Sequence, residues 1–377
     1  MASPKTHVLF SFVILCFALS CAMAHPPSKG VKGAYYPSWA FSTFPPSSID
    51  TSFFTHVYYA FLVPNNTTFK FVIDDETSTL LFNFTSTLRS KRPAVKTLFS
   101  VGGGGEGPAR FSRMASTTAS RLTFIKSSIE VARKYNFDGI DLDWEFPQNK
   151  KDMENLAILL DQWRVEVKKE SWTTKRKPLL ITAAVYFSVD FFLSGEFRSY
   201  PVPSLNKNLD WINLMCYDYR GSWDTSATGA PAALFDTKSN ISTSYGLRSW
   251  IKAGAIRSKL IMGLPLYGRT WKLKDPNVHG IGAPGIGVGP GDEGTMTYRE
   301  VEKFNEENNA KVVFDIATVS TYSVAGNSWI GYDDTRSVSM KIGYAQAQRL
   351  RGYFFWAVAG DLDWKISRTA KQLWIAS

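Results

Sequence analysis

The chain has 377 residues, of which 44% are hydrophobic, 20% charged and 14% aromatic, a composition that is typical of a globular protein and excludes a disordered or fibrous one. The length suits one large barrel or two domains. The formal net charge is +10, but Lys and Arg are dispersed along the chain, which argues against nucleic acid as a partner and favours solubility or weak attraction to acidic wall polymers.

The first 24 residues have the features of a secretory signal peptide. Lys5 precedes an apolar run that ends in Ala22, Met23 and Ala24, and a basic start, an apolar middle and a small-residue end are typical of such segments. The run is short for a membrane anchor. We therefore predict cleavage after Ala24, no membrane attachment of the mature chain, and secretion to the extracellular space.

Cysteine usage points to a self-sufficient core. Cys16 and Cys21 would leave with the signal peptide, so Cys216 would remain alone and the mature chain would have no intramolecular disulfide. Sequons for N-glycosylation agree with export. They begin at Asn65, Asn66, Asn83 and Asn240.

Eight short apolar runs with strand character recur along the chain, and amphipathic helix patterns such as 120–135 and 152–170 separate several of them. The runs are 33–39, 56–62, 95–101, 137–144, 179–185, 211–217, 259–267 and 352–358. This alternation predicts an α/β protein with a (β/α)8 TIM barrel. An open doubly wound sheet would carry a Gly-rich phosphate turn after its first strand, whereas that strand here ends in Pro37, Ser38 and Trp39.

The interval between the seventh and eighth strands is longer than one helix requires. It contains a Gly- and Pro-rich loop, the helix pattern YREVEKFNEEN and the strand-like segments KVVFDI and SWIGYDD. We predict a small α+β insertion at about 270–340, within a single catalytic domain that spans 25–377.

The run DGIDLDWEFP, residues 138–147, places acidic residues inside a predicted core strand. Because side chains alternate across a strand, Asp141, Asp143 and Glu145 share the face that would point into the barrel lumen. Like charges this close raise at least one pKa. Glu145 comes last, at the strand end where barrel enzymes perform chemistry, and a carboxylic acid that stays protonated near neutral pH can cleave a glycosidic bond.

Two alternatives for this strand are a metal site and a salt-bridged structural strand. A Ca²⁺ or Mg²⁺ site would need more oxygen ligands, usually from one loop. His25, His56 and His279 are too few and too scattered to favour a zinc site. The other strands offer mostly apolar and aromatic side chains as neighbours, so basic partners are not expected. Catalysis is favoured, with no metal and no cofactor.

The segment DGIDLDWE matches the D-G-x-D-x-D-W-E signature of family-18 glycoside hydrolases, which include many chitinases. SVGG (100–103), MCYDY (215–219), YGRTW (267–271) and FFWAVAGD (354–361) agree in order. GAYYPSW near the start and the compact insertion resemble plant class V chitinases in particular. The resemblance covers essentially 30–370 and departs at Phe146, where tyrosine is common.

The resemblance implies a retaining mechanism in which the substrate assists its own cleavage. The 2-acetamido oxygen of the sugar attacks its own anomeric carbon and forms an oxazolinium ion. Glu145 would act as general acid and then as base. Asp143 would hold the acetamido N–H and stabilise the positive ring, and Asp141 would exchange a proton with Asp143. Asp138, out of phase with the lumen face, would support the strand entrance.

Further residues are assigned to the substrate. Alternation along WINLMCYDY turns Tyr217 inward, where its hydroxyl would hydrogen-bond the acetamido oxygen. The resemblance makes Asp218 a substrate contact steadied by Arg269, and Trp356 the floor under the distorted sugar. Met215 is assigned either to a sugar contact or to core packing.

Aromatic residues near the strand ends are candidate stacking platforms for a chain of sugars. Tyr36 is assigned to the substrate with them. The tryptophans are Trp39, Trp223, Trp271 and Trp364. The run GGGGEG at 102–107 lacks the Lys of a nucleotide-binding loop, so it is interpreted as a tight loop that lets the backbone pass close to the substrate.

The sequence thus predicts a secreted, monomeric endo-chitinase that hydrolyses β-1,4-linked N-acetylglucosamine polymers and oligomers, with chitin or chito-oligosaccharides as partners. The resemblance to plant proteins also implies a role in plant defence and places the secreted protein in the apoplast, with the vacuole as the alternative. A catalytically inactive sugar-binding lectin is one alternative, because a fold does not decide function. A hydrolase of N-glycans or of modified chito-oligosaccharide signals is another, since each such substrate offers the acetamido group.

Overall fold

The computed structural model describes residues 30–374, which contain a closed barrel and a second, smaller sheet. The strands are β1 (Val31–Pro37), β2 (His56–Leu62), β3 (Lys96–Gly102), β4 (Gly139–Asp143), β5 (Leu180–Tyr186), β6 (Asp190–Leu193), β7 (Glu196–Ser199), β8 (Trp211–Met215), β9 (Leu260–Pro265), β10 (Tyr267–Leu273), β11 (Gly285–Val288), β12 (Thr295–Thr297), β13 (Lys311–Asp315), β14 (Ser320–Ala325), β15 (Ser328–Tyr332) and β16 (Gly352–Trp356). The helices are α1 (Asp75–Ser90), α2 (Ala109–Ser116), α3 (Thr118–Lys134), α4 (Lys150–Thr174), α5 (Val202–Asn208), α6 (Thr243–Lys252), α7 (Tyr298–Glu307), α8 (Thr335–Ala347) and α9 (Lys365–Leu373).

The barrel closes in the order β1-β16-β9-β8-β5-β4-β3-β2, with every neighbouring pair parallel. These strands coincide with the eight apolar runs, so the predicted (β/α)8 barrel is confirmed. Strand alternation divides its core into two layers. One layer fills the lumen with residues such as Tyr35, Tyr58 and Phe354, and the other packs the outer strand faces against the helices.

The helices begin where the sequence supplies caps. The Thr117 side chain accepts from the Ser120 backbone at the start of α3, and Asn149 accepts from Asp152 at the start of α4. Such caps satisfy backbone N–H groups that have no partner within the helix. The two helices correspond to the patterns predicted at 120–135 and 152–170, and each begins two residues earlier.

The second sheet lies between β9 and β16, the seventh and eighth barrel strands, where the α+β insertion is predicted. Its strands pair antiparallel in the order β11-β10-β15-β14-β13, β12 pairs with β10, and α7 precedes β13. Trp271 and Trp329 are fully buried in its own small core. Trp271, a candidate sugar platform in the sequence, is therefore a packing residue.

Within residues 30–374 no helix is both long enough and apolar enough to cross a bilayer. The predicted signal peptide, Cys16, Cys21 and His25 lie outside the described residues. Cys216 is buried and has no disulfide partner within residues 30–374. Burial raises its pKa to about 12, so its thiol is protonated and unreactive at neutral pH.

Candidate active site

Asp141 lies at the centre of the lumen with no solvent exposure, and its carboxylate is satisfied on both oxygens. Oδ2 accepts from the hydroxyls of Tyr35 and Ser100, both at 2.8 Å. Oδ1 accepts from the Thr182 hydroxyl at 2.6 Å and the Asn213 amide at 3.1 Å. Strand register explains part of this arrangement, because Ser100 and Thr182 are the direct neighbours of Asp141 on β3 and β5. Burial raises the pKa of Asp141, and the hydroxyl donors oppose that rise.

Asp143 and Glu145 lie above Asp141, towards the C-terminal end of the barrel. Burial, followed by the charges of Glu145 and Asp141, raises the pKa of Asp143 well above its ordinary value. Among the described residues its Oδ1 atom has no hydrogen-bond partner. Burial, followed by the charge of Asp218, raises the pKa of Glu145 to about 7. Glu145 therefore holds a proton up to neutral pH and can donate it.

The glycine run after β3 brings the backbone against these carboxylates. Gly102 has φ +115°, and a Cβ there would lie 2.2 Å from the Asp143 carbonyl oxygen. The Gly103 N–H donates to that same oxygen at 2.9 Å. A Cβ on Gly104 would lie 3.5 Å from both carboxylate oxygens of Glu145. The run is thus a close-passing loop beside the acid, in agreement with the interpretation of GGGGEG.

Tyr217 and the pair Asp218–Arg269 border the same cleft. Burial raises the pKa of Tyr217 well above its ordinary value, so its phenol remains a donor. Arg269 donates to Oδ1 of Asp218 from Nε at 2.8 Å and from Nη2 at 2.6 Å, the pairing that the family resemblance implies. Its Nη1 atom donates to Thr295, and its guanidinium lies over the Trp223 ring.

An aromatic floor closes the bottom of the cleft. Trp356, at the end of β16, stacks on Phe61 with ring centroids 5.5 Å apart. Tyr35 meets Trp356 edge-on, and the 66%-exposed Trp39 lies 6.3 Å from it. These rings, with Asp143, Glu145, Met215, Tyr217 and Asp218, line a cavity of about 530 Å³, which we call the floor cavity.

A second cavity of about 530 Å³ is also bordered by Glu145. Met215, Tyr217 and Asp218 are shared with the floor cavity, and most of the remaining wall is apolar. We call this second cavity the apolar chamber. Its further lining residues are Phe146, Tyr186, Phe187, Leu193, Tyr219, Arg220, Trp223 and Ile241.

The structure corrects the assignment of Tyr36. This residue is fully buried in the outer layer, donates to the Phe44 carbonyl oxygen at 3.0 Å and packs on Tyr59 and Phe84. Because adjacent residues alternate across β1, the lumen position belongs to Tyr35, which sequence reasoning missed. The pair Tyr35-Tyr36 carries no polarity difference that would fix the phase of the alternation.

Other assigned residues separate in the structure. Asp138 accepts from the Thr97 N–H at 2.9 Å and pairs with Arg89 at 3.0 Å, at the strand entrance as predicted. Trp364 packs against Phe44 and Phe53, away from the two cavities. Phe61 was missed, because its strand reads as a plain apolar run. Among residues 30–374, no group of three His, Cys, Asp or Glu side chains is placed to hold a metal ion.

Comparison with known proteins agrees with this geometry. Residues 32–361 match the family described as Glycosyl hydrolases family 18. Nod factor hydrolase protein 1 of Medicago truncatula is 54% identical over 350 residues, which cover 91% of this chain and 90% of that protein.

Solved structures show the same fold over nearly the whole chain. A mutant of the class V chitinase from Nicotiana tobaccum, solved in complex with NAG4, has a TM-score of 0.88 at 41% sequence identity. The match covers 93% of this chain and 100% of the tobacco chain. The chitinase-like agglutinin of Robinia pseudoacacia has a TM-score of 0.84 at 39% identity, with 92% and 100% covered. The acidic row of Asp141, Asp143 and Glu145 and the barrel agree with the family match. Together they establish that this chain belongs to glycosyl hydrolases family 18 and is a glycoside hydrolase similar to plant class V chitinases.

Proposed function

We propose that this glycoside hydrolase is a chitinase that cleaves β-1,4-linked N-acetylglucosamine chains with retention of configuration. One observation carries the proposal. Glu145, whose pKa is raised to about 7, borders both cavities. It lies above Asp143 and Asp141, towards the C-terminal end of the barrel. A protonated acid between two halves of a cleft is suited to a bond that joins two sugars.

The sugar that is attacked would rest on Trp356 in the floor cavity. Its acetamido N–H would donate to Asp143, whose Oδ1 atom has no partner among the described residues. The Tyr217 phenol would donate to the acetamido oxygen and hold it near the anomeric carbon. That oxygen forms a bond to the anomeric carbon, the glycosidic C–O bond breaks, and the Glu145 proton passes to the departing oxygen.

The product of this step is an oxazolinium ion and a carboxylate on Glu145. The negative charge of Asp143 would stabilise the positive ring, and a proton shared with Asp141 would adjust that charge. Glu145 then takes a proton from water as the water oxygen attacks the anomeric carbon and opens the ring. Two displacements on opposite faces leave a β-anomer and restore the protonated Glu145.

Hydrolysis of N-acetyl-chitohexaose by the wild type and by Glu145→Gln tests the proposal, with binding measured on the same samples. We expect the wild type to release β-anomers and the variant to bind the hexamer without cleaving it. Release of α-anomers, or full activity in the variant, would overturn the mechanism. Binding without cleavage by the wild type would favour the lectin alternative. The similarity of this fold to a chitinase-like agglutinin is the reason to test it.

A second candidate is hydrolysis of a modified chito-oligosaccharide signal. Similarity to a protein named Nod factor hydrolase protein 1 supports it, and so does the largely apolar wall of the chamber that Glu145 borders. Such a wall has room and chemistry for a substituent in addition to sugar hydroxyls. The ratio of kcat/KM for a substituted tetramer to that for plain chitotetraose separates the two candidates.

We also propose that the protein is a secreted monomer from which residues 1–24 are cleaved. The basic, apolar and small-residue order of that segment supports secretion. N-terminal sequencing of the protein from a eukaryotic secretory host, together with its mass in solution, tests both points. A retained Met1 or a dimer would contradict them.

A further inference from the structure

Arg220 places a positive charge in the wall of the apolar chamber. It follows the cluster Tyr217, Asp218 and Tyr219 after β8, and it lines both this chamber and a neighbouring cavity of about 500 Å³ beneath the second sheet. Its side-chain stem packs over Gly229, where an added Cβ would lie 2.4 Å from the Arg220 Cγ. The glycine therefore leaves the space that the stem occupies.

Across residues 30–374, the Arg220 guanidinium forms no hydrogen bond and no ion pair. This differs from Arg269 in the same cleft, which is held by Asp218 and Thr295. Asp224 and Asp236 are near enough for Arg220 to lower their pKa values, but both line the neighbouring cavity and not the chamber. Each carboxylate accepts hydrogen bonds from its own loop, from Ser226 and Ser239 respectively.

The two acidic residues that line the chamber, Glu145 and Asp218, leave no net negative charge there. Glu145 is protonated below about pH 7, and Asp218 is neutralised by Arg269. Arg220 is then the one lining residue, among those described, whose charge has no counterpart on the chamber side. A partly buried, unpaired guanidinium with five N–H donors is suited to a planar or tetrahedral oxyanion.

We propose that Arg220 makes this enzyme selective for chito-oligosaccharides that carry an anionic substituent, a sulfate ester or a carboxylate, on the leaving-group side. This inference rests on the proposed function: the attacked sugar occupies the floor cavity in that mechanism, so the departing sugar would lie in the apolar chamber, which Glu145 also borders. The anion lies against the Arg220 guanidinium while the apolar wall covers the sugar ring. The selectivity acts on substrate choice, and the chemistry at Glu145 is the same for neutral and anionic chains.

The test compares kcat/KM for plain chitotetraose, the same tetramer with a 6-O-sulfate on its reducing-end sugar, and chitotetraonic acid, whose reducing end is a carboxylate. Arg220→Gln is expected to lower the ratio of anionic to neutral kcat/KM by roughly tenfold, the scale of one hydrogen bond to a charged group. Arg220→Lys keeps the positive charge but lacks the planar, paired N–H donors of a guanidinium, so it should retain part of the ratio of anionic to neutral kcat/KM. The two anionic substrates show which oxyanion the site prefers.

Lys238→Gln is the matched control, because Lys238 is exposed and lines the neighbouring cavity and not the chamber. It removes the same charge nearby and should leave the ratio unchanged. An equal loss in both variants would mean a long-range field, and an equal loss for neutral and anionic substrates in Arg220→Gln would mean a sugar hydroxyl contact. Either result overturns the proposal.

The affinities of the three oligosaccharides for Glu145→Gln, with and without Arg220→Gln, measure the selectivity in the absence of turnover. If no substrate is cleaved but the anionic ligands bind more tightly through Arg220, the proposed reaction fails and this inference stands. If the plain tetramer is cleaved and no anionic preference is found in either assay, the reaction stands and this inference fails.

Discussion

The phenol of Tyr35 donates a hydrogen bond of 2.8 Å to Oδ2 of Asp141 across the barrel lumen. The two residues lie on strands β1 and β4, which are not neighbours in the barrel. The Tyr35 oxygen also accepts from the Asn213 amide at 2.9 Å. Donors from four strands, β1, β3, β5 and β8, therefore converge on the carboxylate beneath Asp143, and the protonation of Asp141 depends on residues that lie far away in sequence.

Replacing Tyr35 by Phe removes one of four donors to Asp141. We expect kcat on chitohexaose to fall roughly tenfold, the order of one hydrogen bond to a charged group. The acidic limb of the pH profile should also move, because fewer donors let burial raise the pKa of Asp141 further. Measurement of kcat across pH checks both effects.

Tyr36→Phe is the control for that variant. Its hydroxyl bonds to Phe44 in the outer layer, so its loss should lower thermal stability slightly and leave kcat unchanged. If Tyr36→Phe and Tyr35→Phe reduce kcat alike, the effect of Tyr35 is general packing and not support of Asp141.

The pKa of Glu145 sets the alkaline limit of activity. Its pKa in the folded protein is about 7, so the fraction that carries a proton falls as pH rises through that value. We expect kcat/KM to decline above about pH 7, since this parameter reports the free enzyme. A profile that remains flat to pH 9 would exclude Glu145 as the proton donor.

Variants of the pair Asp218–Arg269 should move that limit in opposite directions. Asp218→Asn removes a negative charge that raises the pKa of Glu145, so the alkaline limb should shift to lower pH. Arg269→Gln leaves Asp218 without its neutralising partner, so the limb should shift to higher pH. The measured quantity is the position of the limb, which is independent of the loss of rate. Shifts of the same sign would contradict the electrostatic cause.

The ion pair between Lys341 and Asp333 is buried, with side-chain exposures of 2% and 0%. The Lys341 Nζ atom lies 2.6 Å from both carboxylate oxygens and also donates to the Ala232 carbonyl. Lys341→Met leaves a buried carboxylate without its cation and should cost about 3–5 kcal/mol of unfolding free energy, as measured by urea denaturation.

An exposed pair provides the comparison. Lys303 and Glu307 lie 3.7 Å apart on α7 with side chains 72% and 60% exposed, and such pairs contribute at most about 1 kcal/mol. Lys303→Met should therefore barely change the urea midpoint. Lys341→Met combined with Asp333→Leu should recover part of the loss, because no charge is then left buried. Equal midpoints for the two single variants would refute the argument.

The buried imidazole of His56, at the start of β2, should make the stability of the fold sensitive to acid. Burial, followed by the charges of Lys96 and Arg351, lowers its pKa to about 3, and within residues 30–374 its Nε2 atom has no hydrogen-bond partner. The unfolded chain, with a pKa near 6.5, binds this proton more readily. The free energy of unfolding should therefore fall as pH drops from about 6.5 towards 3.

The slope of stability against pH is the informative quantity for His56. His56→Gln should show a shallower slope between pH 6 and pH 4 than the wild type, whatever its absolute stability, because the contributions of the carboxyl groups are common to both. Parallel slopes would mean that His56 is not buried as a neutral ring.

The barrel was predictable because its signals are local and repeated. Each barrel strand is a short apolar run, and helix patterns such as those of α3 and α4 stand between them, so eight alternations suffice for the topology. The acidic row was predictable for a similar reason, since period two fixes which residues of β4 share a face.

The sequence by itself determined the barrel, the acidic row, its family and the identity of Glu145 as the outermost carboxylate, because each is written in consecutive residues. Tertiary structure decided which tyrosine of the pair at 35 and 36 faces the lumen, the burial of Trp271 and the floor formed by Phe61 under Trp356. It also decided that Arg269 is paired and that Arg220 is not. These depend on strand phase, on register between distant strands and on the dielectric that burial creates, and each of these arises only when segments far apart in the chain are packed together.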